Sequence, residues 1–337
     1  MRALEVEEFG GPEKLKVRDV PKPEVGEYEI LIKTAYAGLN FTDIYRSRGD
    51  YKNSPTYPTP LPYRLGVEGC GWVEAVGKGV TRIKAGDRVA FTRVHGSQAE
   101  YAAIPAIRAT KLPDQVSFKR GIAIMSHGIT AHYLAHDAYP LELGSKCLIH
   151  AAAGGVGQLL VQLAKKQGAE VFGTVGSREK VEIAKARGAN HVIEYSKVDF
   201  RDEIMRITDG AGVDVVYDSV GKDTLIKSLN SLRLRGFCIL YGHASGLVKN
   251  FDVLELAEAG SVFLTRPHLQ HYVPTEEAYQ ARALDLLAWL QDGTIDVTID
   301  RVFQLEEAAD AIDFLASRQS KGKVLYEVFG EGQKSKF

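Results

Sequence analysis

The 337-residue chain has no stretch near the roughly eighteen uninterrupted apolar residues that a membrane-spanning helix requires. Its apolar runs, such as residues 237–241, are the size of strands. It has no excess of either charge: 42 Lys and Arg stand against 43 Asp and Glu, so the charge balance gives nucleic acid no footing. No basic block coincides with a strongly amphipathic helix, which leaves membrane-surface binding without support. Only three cysteines occur, Cys70, Cys147 and Cys238, and an odd, scattered set excludes a disulfide framework. The opening MRALEVEE lacks the apolar core of a signal peptide. With 12 prolines and 45% hydrophobic residues, the chain is neither collagen-like nor disordered. A soluble, cytoplasmic protein is expected, too long for one comfortable core.

What is present is a change of rhythm. Residues 146–152 (KCLIHAA) read as a buried strand and 156–167 as a helix; 170–175 and 178–187 repeat the pair, with Gly188 closing the helix. Residues 191–194, 200–208, 213–218 and 236–241 continue it. Strands alternating with helices in this way predict a doubly wound parallel sheet with both faces covered. Residues 1–125 instead give short strands, at 15–20, 28–37, 71–76, 88–91 and 98–104, between Gly/Pro turns, as in a small distorted β-barrel. After residue 265 come a helix over 276–291, a short strand at 302–303, a helix over 305–317 and a strand over 323–328. No sixth βα unit is evident, so this tail is expected to rejoin the first domain. The expected organisation is therefore 1–125 with 265–337 as the catalytic domain, and 126–264 as the nucleotide domain.

The turn Ala151-Ala152-Ala153-Gly154-Gly155-Val156-Gly157 joins the first buried strand to its helix. There, Ala153, Gly154, Gly155, Val156 and Gly157 let the backbone approach a pyrophosphate, and the helix presents free N–H groups to it. Ala152 takes the first glycine place of G-x-G-x-x-G; alone the match reads equally as a tight turn, and the surrounding βα rhythm favours a dinucleotide. An acidic residue at the tip of the second strand would hold the ribose of NAD. Gly173-Thr174-Val175-Gly176-Ser177-Arg178-Glu179-Lys180 has none at that tip, while Ser177, Arg178 and Lys180 welcome a 2′-phosphate. NADPH is the expected cofactor; the alternative is a solvated helix face with Arg178 paired to Glu182.

These features together resemble the medium-chain dehydrogenase/reductase superfamily, over nearly the whole chain. Its zinc alcohol dehydrogenases place a Cys and a His where this chain has Asn40 and Val67, and a cysteine-rich lobe near residues 93–96, where this chain has none. The chain is similar instead to the zinc-free quinone oxidoreductases that include zeta-crystallin. Asn40-Phe41-Thr42-Asp43-Ile44-Tyr45 fits N-F-x-D-x-Y and Gly128-Ile129-Thr130-Ala131 fits G-x-T-A; Tyr217-Asp218-Ser219-Val220-Gly221 and Thr265-Arg266-Pro267 also fit. The resemblance implies a GroES-like first domain and a homodimer, with residues 260–264 (GSVFL) as an edge strand. It places the 2′-phosphate on Gly176, Lys180 and Tyr195, and sets Ser219, Tyr241 and Arg318 along the cofactor. Asn40, Asp43, Tyr45 and Thr130 are placed around nicotinamide and substrate.

Reduction of a quinone by hydride or electron transfer needs placement and a polarised carbonyl more than a metal. Tyr45 or Tyr51 is the expected hydrogen-bond or proton donor to the reduced oxygen. The competing reading has Thr42 or Asp43 capping a short helix and the tyrosines packing. The proline-rich segment 53–63 (NSPTYPTPLPY) is expected to wall the acceptor pocket. Two other functions fit the sequence: NADPH-dependent reduction of activated C=C bonds in enals, enones or enoyl thioesters, with Tyr51 as proton donor, and a non-enzymic NADPH-binding protein with a regulatory or RNA-binding use.

Overall fold

In the computed structural model, which describes residues 1–332, the chain builds two units. One comprises Met1–Ser126, Thr275–Gln291 and Val297–Phe337, described to Gly332; the other comprises His127–Pro274 and Asp292–Asp296. Residues 333–337 of the expected first domain lie outside the described residues.

The chain opens with β1 (Arg2–Val6), β2 (Leu15–Asp19), β3 (Glu29–Leu39), α1 (Phe41–Arg48), β4 (Tyr63–Arg64), β5 (Glu68–Val76), β6 (Arg88–Thr92), β7 (Tyr101–Pro105), β8 (Ala109–Lys111) and α2 (Phe118–Ala123). There follow α3 (Ser126–Tyr133), β9 (Lys146–Ile149), α4 (Gly155–Lys166), β10 (Glu170–Val175), α5 (Arg178–Ala186), β11 (His191–Glu194), α6 (Phe200–Ile207) and β12 (Val213–Asp218). Next come α7 (Leu225–Leu229), β13 (Leu232–Leu240), α8 (Leu254–Glu258), β14 (Phe263–Thr265) and α9 (Leu269–Tyr272). The chain then adds α10 (Glu276–Gln291), β15 (Ile299–Gln304), α11 (Ala308–Ala316) and β16 (Lys323–Glu327).

In the first unit, seven strands form a sheet of order β15-β16-β3-β5-β6-β8, with β7 also paired to β3; a second sheet runs β2-β1-β4. Most pairings are antiparallel, and the long β3 is central because its alternate residues Ile30 and Ile32 face a core with Val73, Val89, Phe91 and Ile104. The C-terminal strand β16 pairs antiparallel with the end of β3, so Leu4, Leu39, Leu65, Phe303, Leu315 and Tyr326 share a second core. Strand β1 was not expected from MRALEVEE, where charged residues interrupt the apolar ones; Ala3, Leu4 and Val6 are nonetheless buried by pairing on both sides. The expected helix over 305–317 divides into a tight turn, Leu305–Glu307, and α11.

The second unit is a six-stranded, wholly parallel sheet of order β11-β10-β9-β12-β13-β14. From β9 the chain winds outward through β10 and β11, then crosses back to β12, so the direction reverses between β9 and β12. Such a reversal opens a crevice at the carboxyl ends of the strands, where ligands bind in sheets of this type. Leu148, Phe172, Ile193, Phe200, Ile204, Val216, Leu229 and Cys238 form its core. Strand β9 stops at Ile149, earlier than the expected residue 152, because Ala151 adopts a left-handed backbone (φ 51°) and the chain turns. A sixth strand, β14, joins the sheet at its edge and overlaps the edge strand expected over residues 260–264, starting later because only Phe263–Thr265 pair with β13.

At one point the strands of the first unit approach as closely as backbone allows. A Cβ on Gly71 of β5 would meet the Lys33 carbonyl oxygen of β3 at 2.0 Å, and neither strand can yield without breaking its ladder. Gly71→Ala is therefore expected to destabilise the first unit by about 1–3 kcal/mol, measured by chemical denaturation.

Candidate active site

Asn40 ends β3 and begins α1, and its amide is held at both ends. Its Nδ2 donates to Glu68 Oε1 at 2.8 Å, and its Oδ1 accepts from Lys323 Nζ at 3.0 Å. Lys323 also donates to the Leu39 carbonyl oxygen at 3.2 Å and is ion-paired with Glu68, whose Oε2 accepts the Ser126 N–H at 2.9 Å. Lys323 and Glu68 are 1% and 0% exposed. Asp43 is equally buried: its carboxylate accepts the Asn40 N–H at 2.9 Å and the Gly66 N–H at 3.2 Å. Asp43 thus closes the start of α1, as one sequence reading had it. Burial pushes its carboxyl up to about 6, against those N–H bonds and the charges of Lys323 and Arg46.

One turn along α1, Tyr45 meets Tyr51 edge-on at 5.9 Å, and Tyr51 stacks on Tyr57 at 4.4 Å. Arg46, also buried, donates to the Pro58 carbonyl oxygen at 2.8 Å and to Thr59 Oγ1 at 3.0 Å, with Tyr63 beneath its guanidinium. The proline-rich segment is thereby fastened to α1, and Tyr45, Tyr51 and Tyr57 form one aromatic face. The first unit thus brings Asn40, Asp43, Tyr45 and Tyr51 together. Arg318 also belongs to it, exposed and with a left-handed backbone (φ 59°).

Thr130 lies half-buried on α3 in the second unit. There, Gly154 precedes α4 with no side chain capping the helix, so its first N–H groups are open to an anion. A Cβ on Gly157 would strike the Ala151 carbonyl oxygen at 2.2 Å, which is why the helix can start so close to the strand only with glycine there. Ala153 is buried beneath the turn, while Gly154, Gly155 and Val156 remain partly open. At the tip of β10, Ser177 precedes α5 and makes no capping bond to it. The Tyr195 hydroxyl lies where a Cβ on Gly176 would be, 2.7 Å from it. Lys180 is half-buried on the first turn of α5, whereas Arg178 points to solvent, 3.7 Å from Glu182, as the alternative reading foresaw. Ser219 and Tyr241 follow β12 and β13, both half-buried. Open helix starts, an absent side chain at Gly176 and no carboxylate at the tip of β10 suit a dinucleotide bearing a 2′-phosphate.

Glu68, Lys323 and Arg46 were missed as site residues. The signal available was a charged residue inside an apolar run, as in Lys323-Val324-Leu325-Tyr326, which demands a buried partner. The same pair bears on zinc. Asn40 and Val67 supply neither thiolate nor imidazole, Glu68 is already compensated by Lys323, and among the described residues no three His, Cys, Asp or Glu gather to hold a metal. The donor set does not fit a zinc centre.

A barrel-like β unit and a parallel dinucleotide-type sheet in one chain define a nucleotide-dependent oxidoreductase. The family described as "Alcohol dehydrogenase GroES-like domain" matches residues 26–114, and "Zinc-binding dehydrogenase" matches residues 155–289. The chain is 41% identical to the quinone oxidoreductase of Pseudomonas aeruginosa, over 94% of this chain and 96% of that protein. It is 37% identical to the 2-haloacrylate reductase of a Burkholderia species, over 96% and 98%. The structure of Escherichia coli quinone oxidoreductase complexed with NADPH superposes with a TM-score of 0.93 at 36% identity, covering 97% of this chain and all of that one. The chain belongs to the quinone oxidoreductase family of the medium-chain dehydrogenases/reductases.

Two consequences follow for stability. Lys323→Met strands a buried carboxylate and is expected to cost about 3–5 kcal/mol, with much of the loss recovered when Glu68→Leu is added. Separately, His95 lies with Nδ1 2.7 Å from the Tyr63 hydroxyl; burial, then Arg46 and Arg93, push its imidazole down to about 4. Its folded form holds fewer protons than the unfolded chain between about pH 4 and 6.5, so its contribution to stability is lost as pH falls through that window. Asp43 acts oppositely between about pH 4 and 6, where its folded form holds the extra proton. His95→Gln should therefore lose less of its melting temperature than the parent between pH 7 and about 4.5.

Proposed function

We propose that this protein reduces quinones with NADPH. The observation that supports the cofactor is the tip of β10, where the Tyr195 hydroxyl approaches Gly176, Ser177 leaves the start of α5 uncapped, Lys180 lies on the first turn of α5, and no residue at the end of β10 is acidic. The nucleotide domain, 126–264 in the sequence reading, holds the cofactor through Ala153 to Gly157, with Ser219 and Tyr241 along its length. The domain of 1–125 and 265–337 holds the acceptor. NADPH supplies two reducing equivalents when bound. Asn40 orients the reacting groups through an amide that Glu68 and Lys323 keep from turning. Asp43 fixes the backbone from which Asn40 projects. The hydroxyl of Tyr45 or Tyr51 donates to the quinone oxygen as charge builds there.

The family includes an enzyme named for haloacrylate reduction, which supports a second substrate class, activated C=C bonds. Tyr51, edge-on to Tyr45 and stacked on Tyr57, is the proton donor that this chemistry would need. The protein works in the cytoplasm as a homodimer formed along β14, an edge strand whose Phe263 is 53% exposed and stacks on Phe237.

Anaerobic oxidation of NADPH and NADH against a small quinone, an ortho-quinone and an α,β-unsaturated aldehyde tests the reading. Quinone turnover with NADPH is expected; preference for the aldehyde would transfer the function to double-bond reduction, and tight NADPH binding without turnover would favour a regulatory protein. Lys180→Glu should raise the KM for NADPH by about tenfold or more and leave that for NADH nearly unchanged. Tyr51→Phe should abolish aldehyde reduction if Tyr51 is the acid, while quinone reduction survives.

A further inference from the structure

Four buried polar residues of the second unit remain without a part in the site, and they form one chain of hydrogen bonds. Thr174 Oγ1 lies 2.8 Å from His150 Nδ1, His150 Nε2 lies 2.9 Å from Ser228 Oγ, and Ser228 Oγ lies 2.8 Å from Asp218 Oδ2. All four are 1% exposed or less. The chain runs from the tip of β10 to that of β9, then through Ser228 of α7 to Asp218 at the end of β12.

The direction of every bond can be worked out from the carboxylate end. Asp218 accepts the Val220 and Gly221 N–H groups at 2.8 and 3.0 Å, and the Thr224 hydroxyl at 2.9 Å and 2.8 Å to its two oxygens. Donors face both oxygens of Asp218, and Ser228 adds its single proton to Oδ2. Ser228 then has none left for the imidazole, and His150 must donate from Nε2. Burial lowers the basicity of His150 and keeps it neutral, with Phe200 edge-on to its ring at 4.8 Å. Its Nδ1 is therefore the acceptor, and takes the Thr174 hydroxyl proton. One tautomer satisfies all four residues.

Each strand-tip residue of the chain lies just before a segment assigned above to the cofactor. His150 stands three residues before Ala153, Thr174 two before Gly176, and Asp218 immediately before Ser219. The backbone is tied across the same strands: Ala152 N–H donates to the Thr174 carbonyl oxygen at 3.0 Å, and His150 N–H to that of Tyr217 at 3.1 Å. We propose that His150, as a neutral Nε2–H imidazole, is a positioning residue that sets the spacing of the three cofactor loops and so the affinity for NADPH, an inference that rests on the NADPH reading above. His150 touches no substrate; it acts through Thr174, Ser228 and Asp218.

The test measures the Kd for NADPH by protein fluorescence, with kcat, KM and melting temperature, in His150→Phe, His150→Gln and Ser228→Ala. Phenylalanine fills the space without hydrogen bonds, whereas glutamine retains one donor and one acceptor. His150→Phe is expected to raise Kd and the KM for NADPH by about tenfold, with kcat changed far less. His150→Gln should recover most of that affinity. Ser228→Ala should weaken binding in the same direction, and adding it to His150→Phe should bring less than the product of the two effects. Nitrogen-15 NMR of the parent enzyme should show His150 protonated at Nε2 alone from about pH 5.5 to 8. A folded His150→Phe with Kd within about twofold of the parent overturns the proposal even if it melts earlier, since packing alone would do that. If His150→Phe does not fold, an unchanged Kd in Ser228→Ala overturns it, and so does protonation at Nδ1. Failure of the parent itself to bind NADPH overturns the cofactor reading and this proposal with it, while the NMR result still decides the hydrogen-bond chain.

Discussion

A carboxylate with no access to water governs the first unit. Glu68 projects from β5 into a space closed on all sides, and an isolated charge there would be untenable. Lys323 answers it from β16, and Asn40 and the Ser126 N–H take the remaining acceptor capacity. Residues 255 positions apart are thereby held to one geometry, and the start of α1 with them. The aromatic face of Tyr45, Tyr51 and Tyr57 depends on that start, because α1 carries Tyr45 and Arg46, and Arg46 fastens the proline-rich segment. Such a pair contributes little net stability beside a well-packed apolar alternative; what it secures is a single orientation for the Asn40 amide.

The second unit meets a different requirement. A parallel sheet gathers the carboxyl ends of its strands on one side, where a helix start such as Gly154-Gly155 turns its N–H groups outward. Loops that bind one extended ligand must keep their spacing although they come from different strands. Buried hydroxyl, imidazole and carboxylate groups beneath those loops supply that spacing, because hydrogen bonds fix distance more sharply than apolar contact.

How far all this was legible depended on the range of the interaction. Elements 191–194, 213–218 and 276–291 have the predicted limits, since alternation, apolar runs and flanking turn residues are local signals. The strand β1 was not legible, because a partner on each side, and no alternation of its own, makes it a strand. Gly154 and Gly157 marked the turn between β9 and α4, and no acidic residue stands at the tip of β10, the pattern on which the NADPH proposal rests. Asn40, Asp43 and Tyr45 stood out by family likeness, but not the division of labour among them. Asp43 is wholly engaged by backbone N–H groups, and that could be known only once Gly66 was seen beside it. His150 sits in plain view in the apolar run KCLIHAA; its hydroxyl partners are 24 and 78 residues away.

By itself, then, the sequence determined the type of the strongly periodic elements, the class of sheet, the glycine turn between β9 and α4 and the lack of thiolate and imidazole at Asn40 and Val67, all set by short-range pattern and side-chain chemistry. Tertiary structure alone decided which buried charges find each other. Lys323 reaches Glu68, Arg46 reaches Pro58 and Thr59, and Asp218 reaches His150 through Ser228. The physical reason is that desolvation makes each such group intolerable alone, while the strand order that brings its partner is written in no single stretch of the chain.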